Sequence, residues 1–233
     1  MMQGYNGATL NVSTAWPQNS NSSAGKPAQA RNFVELLQWR GKYEADRTVF
    51  TVISDDGETE TLISAGELDR RARATAAVLQ SRQGAGERAL LVFTPGIEFI
   101  AAFFGCLYAG VTAVPVYPPQ SRLHLPRLRA ILSDSGAKFA LSESNVFGLM
   151  EPLISLAPDL AGLEWALTDK LPVGAETSWR KSEVQNDAYA FLQYTSGSTS
   201  FPKGVMLSHG NLWHNSEMIR VSFLLSEQTI WVG

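Results

Sequence analysis

The sequence predicts an α/β fold in which a mostly parallel sheet is flanked by helices. Arg88-Ala-Leu-Leu-Val-Phe93 is a nearly continuous apolar run, the pattern of a strand covered on both faces. A helical stretch and a second short strand, 111–117, follow it directly, and strand, helix, strand in that order argues a right-handed parallel unit. A loop rich in hydroxyls and glycine then lies between two further apolar runs, 188–194 and 204–207, which read as strands.

Taken in order, residues 1–28 are rich in Asn, Ser, Gly and Ala with few large apolar residues, and are expected to form a mobile tail. From Asn32, the residues Phe33, Leu36, Leu37 and Arg40 recur at helical spacing, and Gly41 is expected to close that helix. Residues 48–53 and 60–63 read as strands joined through Asp56-Gly57, a hairpin signal. Ser64-Ala-Gly-Glu67 has the spelling of a capping box and opens a long helix with Leu68, Ala72, Thr75 and Leu79 on one face. Gly84 and Gly86 are expected to stop it.

After the apolar strand, Thr94 is expected to cap a helix with Pro95 at its first position, where the missing N–H costs nothing. Ile97, Ile100, Phe104 and Leu107 would line its buried face and Gly110 would end it. Pro118-Pro119 ends the next strand, and Leu125, Leu128, Ile131 and Leu132 mark a helix between Pro126 and Gly136. Residues 138–141 and 164–168 read as strands, with a helix near 145–156 that contains Pro152. Residues 170–187 are polar and irregular, a surface connection. Ser208 can cap a helix running to about Leu225 with Leu212, Ser216, Ile219 and Phe223 on one side, and 228–232 reads as a last strand.

The chemistry concentrates in Tyr194-Thr195-Ser196-Gly197-Ser198-Thr199-Ser200-Phe201-Pro202-Lys203-Gly204. Glycine lets the backbone turn close to a ligand and aim successive N–H groups into one concavity. The Ser and Thr hydroxyls add donors and Lys203 adds a mobile positive charge, a set that suits a polyphosphate. An ordinary hairpin connection is the bland reading of such a composition, and the lysine with glycine on either side counts against it. A Walker A loop is excluded by spelling and context. Pro202 stands where its second glycine belongs, Gly204 replaces the Ser/Thr that would hold magnesium, and a strand follows where Walker A opens into a helix.

Thr195-Ser-Gly-Ser-Thr-Ser-Phe-Pro-Lys-Gly204 resembles the phosphate loop of the adenylate-forming superfamily, which includes acyl-CoA synthetases, peptide-synthetase adenylation domains and luciferases. Ser208-His-Gly-Asn-Leu212, Asn215-Ser-Glu-Met-Ile219, Thr94-Pro-Gly-Ile-Glu-Phe99 and Gly110-Val-Thr-Ala-Val-Pro-Val-Tyr-Pro-Pro119 resemble the fatty acyl-AMP ligase branch. The similarity runs from about residue 30 to the end. It implies that residues 29–233 are the N-terminal part of the large AMP-binding domain, truncated before the remaining core and the C-terminal lid domain.

The implied reaction joins a fatty acid to the AMP end of ATP with release of pyrophosphate, then passes the acyl group to the phosphopantetheine thiol of an acyl carrier protein. Ligases of this branch often load polyketide or peptide synthetases, sometimes as a fused first domain. By resemblance, Thr195, Ser196, Gly197, Ser198, Thr199, Lys203 and Gly204 would bind the nucleotide, with Lys203 approaching the β- and γ-phosphates as the catalytic cation. The cofactors implied are ATP and Mg2+, and the acidic Mg2+ ligand would lie beyond Gly233, with the adenine and ribose motifs, the hinge and the lid lysine. The chain is therefore expected to be inactive alone. An acyl-CoA synthetase and a non-catalytic nucleotide-binding module are the alternatives.

Other features narrow the classes. With 233 residues the chain can bury one good core, and a net charge of −3 gives no electrostatic case for nucleic acid. The single cysteine, Cys106, sits in an apolar helical run and reads as core; one cysteine excludes an internal disulfide. No membrane span and no signal peptide are expected, which leaves a cytoplasmic enzyme. His209 and His214 would stand roughly 140° apart on a helix, a poor pair for one ion, so no metal ligand is assigned. A carboxylate substrate is already ionised at neutral pH and needs no protein base. The chain stops at Gly233 just after an expected strand with nothing to cap it, which reads as a cut.

Overall fold

The computed structural model describes residues 30–53, 60–195, 202–226 and 229–230. The tail expected over residues 1–28, the Asp56-Gly57 turn and residues 228, 231 and 232 of the strand expected over 228–232 lie outside the described residues; residues 229 and 230 are not in a strand.

Helix α1 (Phe33–Tyr43) starts at Asn32, whose side chain accepts a hydrogen bond from the Glu35 amide at 2.9 Å. Gly41 does not end it. The helix runs two residues further, and a Cβ at Gly41 would lie 2.7 Å from Cβ of Asp69, so this glycine permits close packing on the next helix. Strands β1 (Thr48–Ile53) and β2 (Glu60–Ser64) pair antiparallel as the expected hairpin. Helix α2 (Ala65–Ser81) is capped by Ser64, but only half of the capping box forms. The Glu67 carboxylate turns outward and accepts hydrogen bonds from Arg70 and Arg71, a stronger pairing than the Ser64 amide offers. The helix ends before Gly84, and Gln83 takes the left-handed conformation beyond it (φ 58°).

Strand β3 (Arg88–Val92) leads to α3 (Ile97–Ala109). Here the helix begins two residues later than the Thr94–Pro95 spelling suggests, with Gly96 as the capping position and no side-chain cap. Of its expected buried face, Ile97 and Leu107 are buried, and the rest differs. Ala101, Ala102, Gly105 and Cys106 are buried, whereas Ile100 and Phe104 are only half-buried at its margin. The reason is close approach to α2: a Cβ at Gly105 would sit 2.5 Å from Cβ of Thr75. Small residues on both helices let the backbones meet, and the large side chains spread outward onto the sheet and hairpin.

Strand β4 (Thr112–Val116) follows, then α4 (Leu125–Ser135), which has Pro126 in its first turn and Gly136 in the left-handed conformation at its end (φ 60°), both as expected. Strand β5 (Phe139–Ser142), α5 (Ser144–Ile154, with Pro152 inside), the single-turn α6 (Pro158–Ala161) and β6 (Glu164–Leu167) complete this half. The connection after β6 carries short 3-10 turns at Thr168–Lys170 and Ala175–Ser178. It is less purely a surface segment than its composition suggests. Trp179 packs on Tyr108 with ring centroids 5.3 Å apart, and the Arg73 guanidinium lies 4.6 Å from the Trp179 ring centre. Strands β7 (Tyr189–Thr195) and β8 (Lys203–Ser208) then form an antiparallel hairpin, and α7 (His209–Ser222) follows with a full capping box between Ser208 and Asn211.

The main sheet has the order β6-β5-β3-β4-β7-β8, parallel throughout except for the last pair. Alternation along β3 splits the core in two. Ala89, Leu91 and Phe93 join a cluster with α1, α2 and α3; Leu90 and Val92 join one with α4, α5 and α6. A register irregularity between Tyr189 and Phe191 places Ala190 and Phe191 with the first cluster, Leu192 and Tyr194 with the second. Helix α7 is anchored mainly at its start. His209 is buried, Leu212 packs on the first cluster and Trp213 meets Phe33, but Ile219 and Phe223, expected on the same side as Leu212, are 37% and 64% exposed.

Candidate nucleotide-phosphate site

Parallel sheets of this kind bind ligands beyond the carboxyl ends of their strands, near the point where successive connections cross to opposite faces. The β3–α3–β4 connection packs on one face and the β4–α4–β5 connection on the other, so that point lies at β3 and β4. Strand β7 adjoins β4 in parallel, which brings its carboxyl end to the same edge. The hydroxyl-rich segment starts there.

Thr195 is the last residue of β7 and Lys203 the first of β8, and the two are direct partners across the hairpin. Both are exposed. Lys203 thus belongs to a strand whose backbone is paired, and the hairpin fixes where its side chain starts. Gly204 is the partner of Tyr194. A Cβ on Gly204 would lie 2.9 Å from Cζ of the Tyr194 ring and 3.1 Å from its hydroxyl, so the ring occupies the space that any larger residue would need. The Tyr194 hydroxyl donates to Oδ2 of Asp134 on α4 at 2.6 Å. Burial, first, and the adjoining carboxylate push this phenol well above its ordinary range. Ser196, Gly197, Ser198 and Thr199, the other expected phosphate ligands, lie outside the described residues.

His209 follows the far end of β8, whose last residue, Ser208, lies about 17 Å from Lys203 at ordinary strand rise. Burial holds its imidazole down at about 4, and it reads as a neutral packing residue. Among the described residues no group of three or more His, Cys, Asp or Glu is arranged to hold a metal ion. Cys106 is fully buried and its thiol is pushed up by that burial, in keeping with a core role.

The carboxyl edge also gathers Glu98, Glu143 and Asp169, from the segments after β3, β5 and β6. Glu98 pairs with Arg71, and Asp169 accepts from the Ser144 amide at 2.8 Å. Burial, with Glu98 and Asp169 nearby, raises the carboxyl of Glu143. Arg71, Glu98, Thr168 and Asp169 line a cavity of about 420 Å3, and a larger one of about 620 Å3 lies between Asn32 and residues 181–187. Neither is lined by Thr195, Lys203 or Gly204.

Sequence reading missed the contribution of Asp134 and Tyr194. Nothing in the helical pattern around Leu128 and Ile131 marks Asp134, because its partner is 60 residues away. Gly204 facing an aromatic was the available signal, and it becomes visible only once the hairpin register is known.

The sequence family described as AMP-binding enzyme matches residues 37–233. The medium-chain-fatty-acid–[acyl-carrier-protein] ligase JamA of Moorena producens (strain JHB) is 40% identical over 206 residues, covering 85% of this chain and 35% of that protein. The long-chain-fatty-acid–AMP ligase FadD23 of Mycobacterium tuberculosis (strain CDC 1551 / Oshkosh) is 30% identical over 185 residues, covering 76% of this chain and 31% of that protein. The crystal structure of fatty acyl-adenylate ligase from L. pneumophila, in complex with acyl adenylate and pyrophosphate, superimposes with a TM-score of 0.79 at 33% identity. That match covers 88% of this chain and 36% of that one. The chain thus spans about a third of the length of each of these three proteins. With a parallel α/β sheet of matching architecture and a family match over most of its length, the chain belongs to the AMP-binding enzymes.

Proposed function

We propose that the full-length protein activates a fatty acid with ATP and transfers the acyl group to an acyl carrier protein. The observation that carries this reading is the Thr195–Lys203 pair, which closes a hydroxyl- and glycine-rich loop at the carboxyl edge of the sheet. The 40% identity to a fatty-acid–[acyl-carrier-protein] ligase supports the choice of substrate and acceptor.

In the first step a carboxylate oxygen of the fatty acid attacks the α-phosphorus of ATP. A P–O bond forms to the acyl group as the P–O bond to pyrophosphate breaks, and the leaving pyrophosphate carries away the charge. The protein's task is to position the phosphates and stabilise that charge. Thr195, Ser196, Ser198 and Thr199 would donate hydroxyl hydrogen bonds to the β- and γ-phosphates, Gly197 and Gly204 would let the backbone approach, and Lys203 would supply a mobile cation. Gly204 is constrained in one visible respect: the Tyr194 ring already fills the place that a side chain there would take. ATP enters with Mg2+ as its counterion; its acidic ligand is assigned to the part of the protein beyond Gly233. In the second step the phosphopantetheine thiol, losing its proton, attacks the acyl carbon and AMP departs.

Residues 29–233 are read as the N-terminal part of the adenylation domain, acting in the cytoplasm, and the chain by itself is expected to form no acyl-adenylate. The test is fatty-acid-dependent exchange of labelled pyrophosphate into ATP by the full-length protein, followed by an offer of free CoA and holo carrier protein. Exchange with acylation of the carrier supports the reading. Exchange with acylation of CoA alone changes the acceptor, and no exchange with any fatty acid refutes it.

A further inference from the structure

We propose that Tyr194 is a positioning residue: tied to Asp134 and seated over Gly204, it sets the register in which Thr195 and Lys203 are presented to the nucleotide. The inference rests on the phosphate reading above for its functional half and on geometry alone for its structural half. Tyr194 and Gly204 face one another across the hairpin, one pair inside Thr195 and Lys203. The ring crosses onto the neighbouring strand and fills the place of a side chain at position 204, with Cζ 2.9 Å from where a Cβ would stand. Gly204 is the one glycine in β8, which reads Lys-Gly-Val-Met-Leu-Ser, so no other position of the strand leaves that space free of a side chain.

Register matters here because strand side chains alternate faces. A slip of one residue would turn Lys203 to the opposite side of the sheet and leave the Tyr194 ring against Lys203 or Val205. The antiparallel hairpin is an edge pair, and most of β8 is exposed, so burial of apolar side chains on β8 supplies little to hold the register. The hydrogen bond to Asp134 supplies a second anchor from outside the hairpin. It runs from the buried tyrosine (7% exposed) to a carboxylate near the end of α4, a helix packed on the same face of the sheet. Tyr194 is buried, one pair inside Lys203 on the hairpin, so its effect would pass through Lys203.

The experiment uses the full-length protein with Tyr194→Phe, Asp134→Ala, Asp134→Asn and Lys203→Ala. Tyr194→Phe keeps the ring and the fold and removes the hydroxyl. Two readouts are taken: amide hydrogen exchange of residues 189–208 without nucleotide, and KM for ATP in pyrophosphate exchange. Tyr194→Phe and Asp134→Ala are expected to accelerate amide exchange at the hairpin stem with the rest of the sheet unchanged. They should raise KM for ATP about tenfold, the scale of a lost hydrogen bond to a charged group. Asp134→Asn, whose amide oxygen still accepts from the hydroxyl, should restore most of both. Tyr194→Phe should add little on top of Lys203→Ala, because the tyrosine acts through the lysine. Unchanged amide exchange at the stem, or full additivity with Lys203→Ala, overturns the proposal. A loosened stem in an enzyme where Lys203→Ala leaves pyrophosphate exchange intact would instead overturn the phosphate reading and uphold the register claim.

Discussion

Lys203 carries the sharpest expectation at the scale of single residues. A charge-assisted contact from its ammonium to a phosphate contributes on the order of 1.5–3 kcal/mol, so Lys203→Ala should slow adenylation about tenfold or more. Pyrophosphate exchange measured in the full-length protein checks it. Two other residues give pH signatures of opposite origin. The Arg70 guanidinium holds the Glu67 carboxyl at about 2, down from 4.5, with Arg71 assisting and burial opposing. Its pKa is lowered in the fold, so its stabilisation is fully present above pH 4.5 and fades as pH falls through about 2. Glu67→Gln should remove that part of the acid dependence in a denaturation series over this range. His209 is also depressed, from 6.5 to about 4, but by burial of a neutral imidazole. The unfolded chain binds the proton first, so stability should begin to drop as pH falls below 6.5 and level off near 4. His209→Phe should flatten that segment of the profile without touching the Glu67 segment.

Helix pairing decides most of what stands at the next scale. The α2–α3 contact depends on Gly105 lying against Thr75, with no room for a methyl between them. Gly105→Ala should therefore destabilise the fold by about 1–3 kcal/mol despite improved helix propensity, read as a lower midpoint in urea. The Asp69 carboxylate beneath this contact accepts from the Tyr108 hydroxyl at 2.7 Å and pairs with Arg73, which keeps a buried charge satisfied. What the sequence could show of these elements follows from range. Strand β3, the parallel β3–α3–β4 unit, the Pro126 and Gly136 ends of α4 and the Ser208 cap all rest on residues within a turn or two of one another, and all are found. Gly41 went otherwise because a tertiary contact outranks the local signal, and the first turn of α3 differs with no contact among the described residues that explains it. Gly41 reads as a stop and is a packing position against Asp69; Thr94-Pro95 reads as a cap and is a loop. The Tyr194–Asp134 bond joins residues 60 apart, and no periodicity announces such a pair.

Across the whole molecule, the sheet order sets the site. Crossing of the connections between β3 and β4, with β7 alongside, brings Thr195 and Lys203 to the edge where parallel sheets take their ligands. The crowding of hydroxyls, glycine and a lysine into one short segment, for which phosphate binding is proposed, was legible in the sequence. Its placement beside the switch in topology was not, since that depends on β7 adding next to β4 after a connection of more than twenty residues from β6. Among the described residues no helix is long and apolar enough to cross a membrane. The chain spans about a third of the length of the JamA and L. pneumophila ligases, and the proposed chemistry is to be tested in the full-length protein. The most direct measurement is a crystal structure of that protein with ATP bound. The account predicts the β- and γ-phosphates within hydrogen-bonding reach of Thr195 and Lys203; phosphates seated away from the β7–β8 hairpin would contradict it.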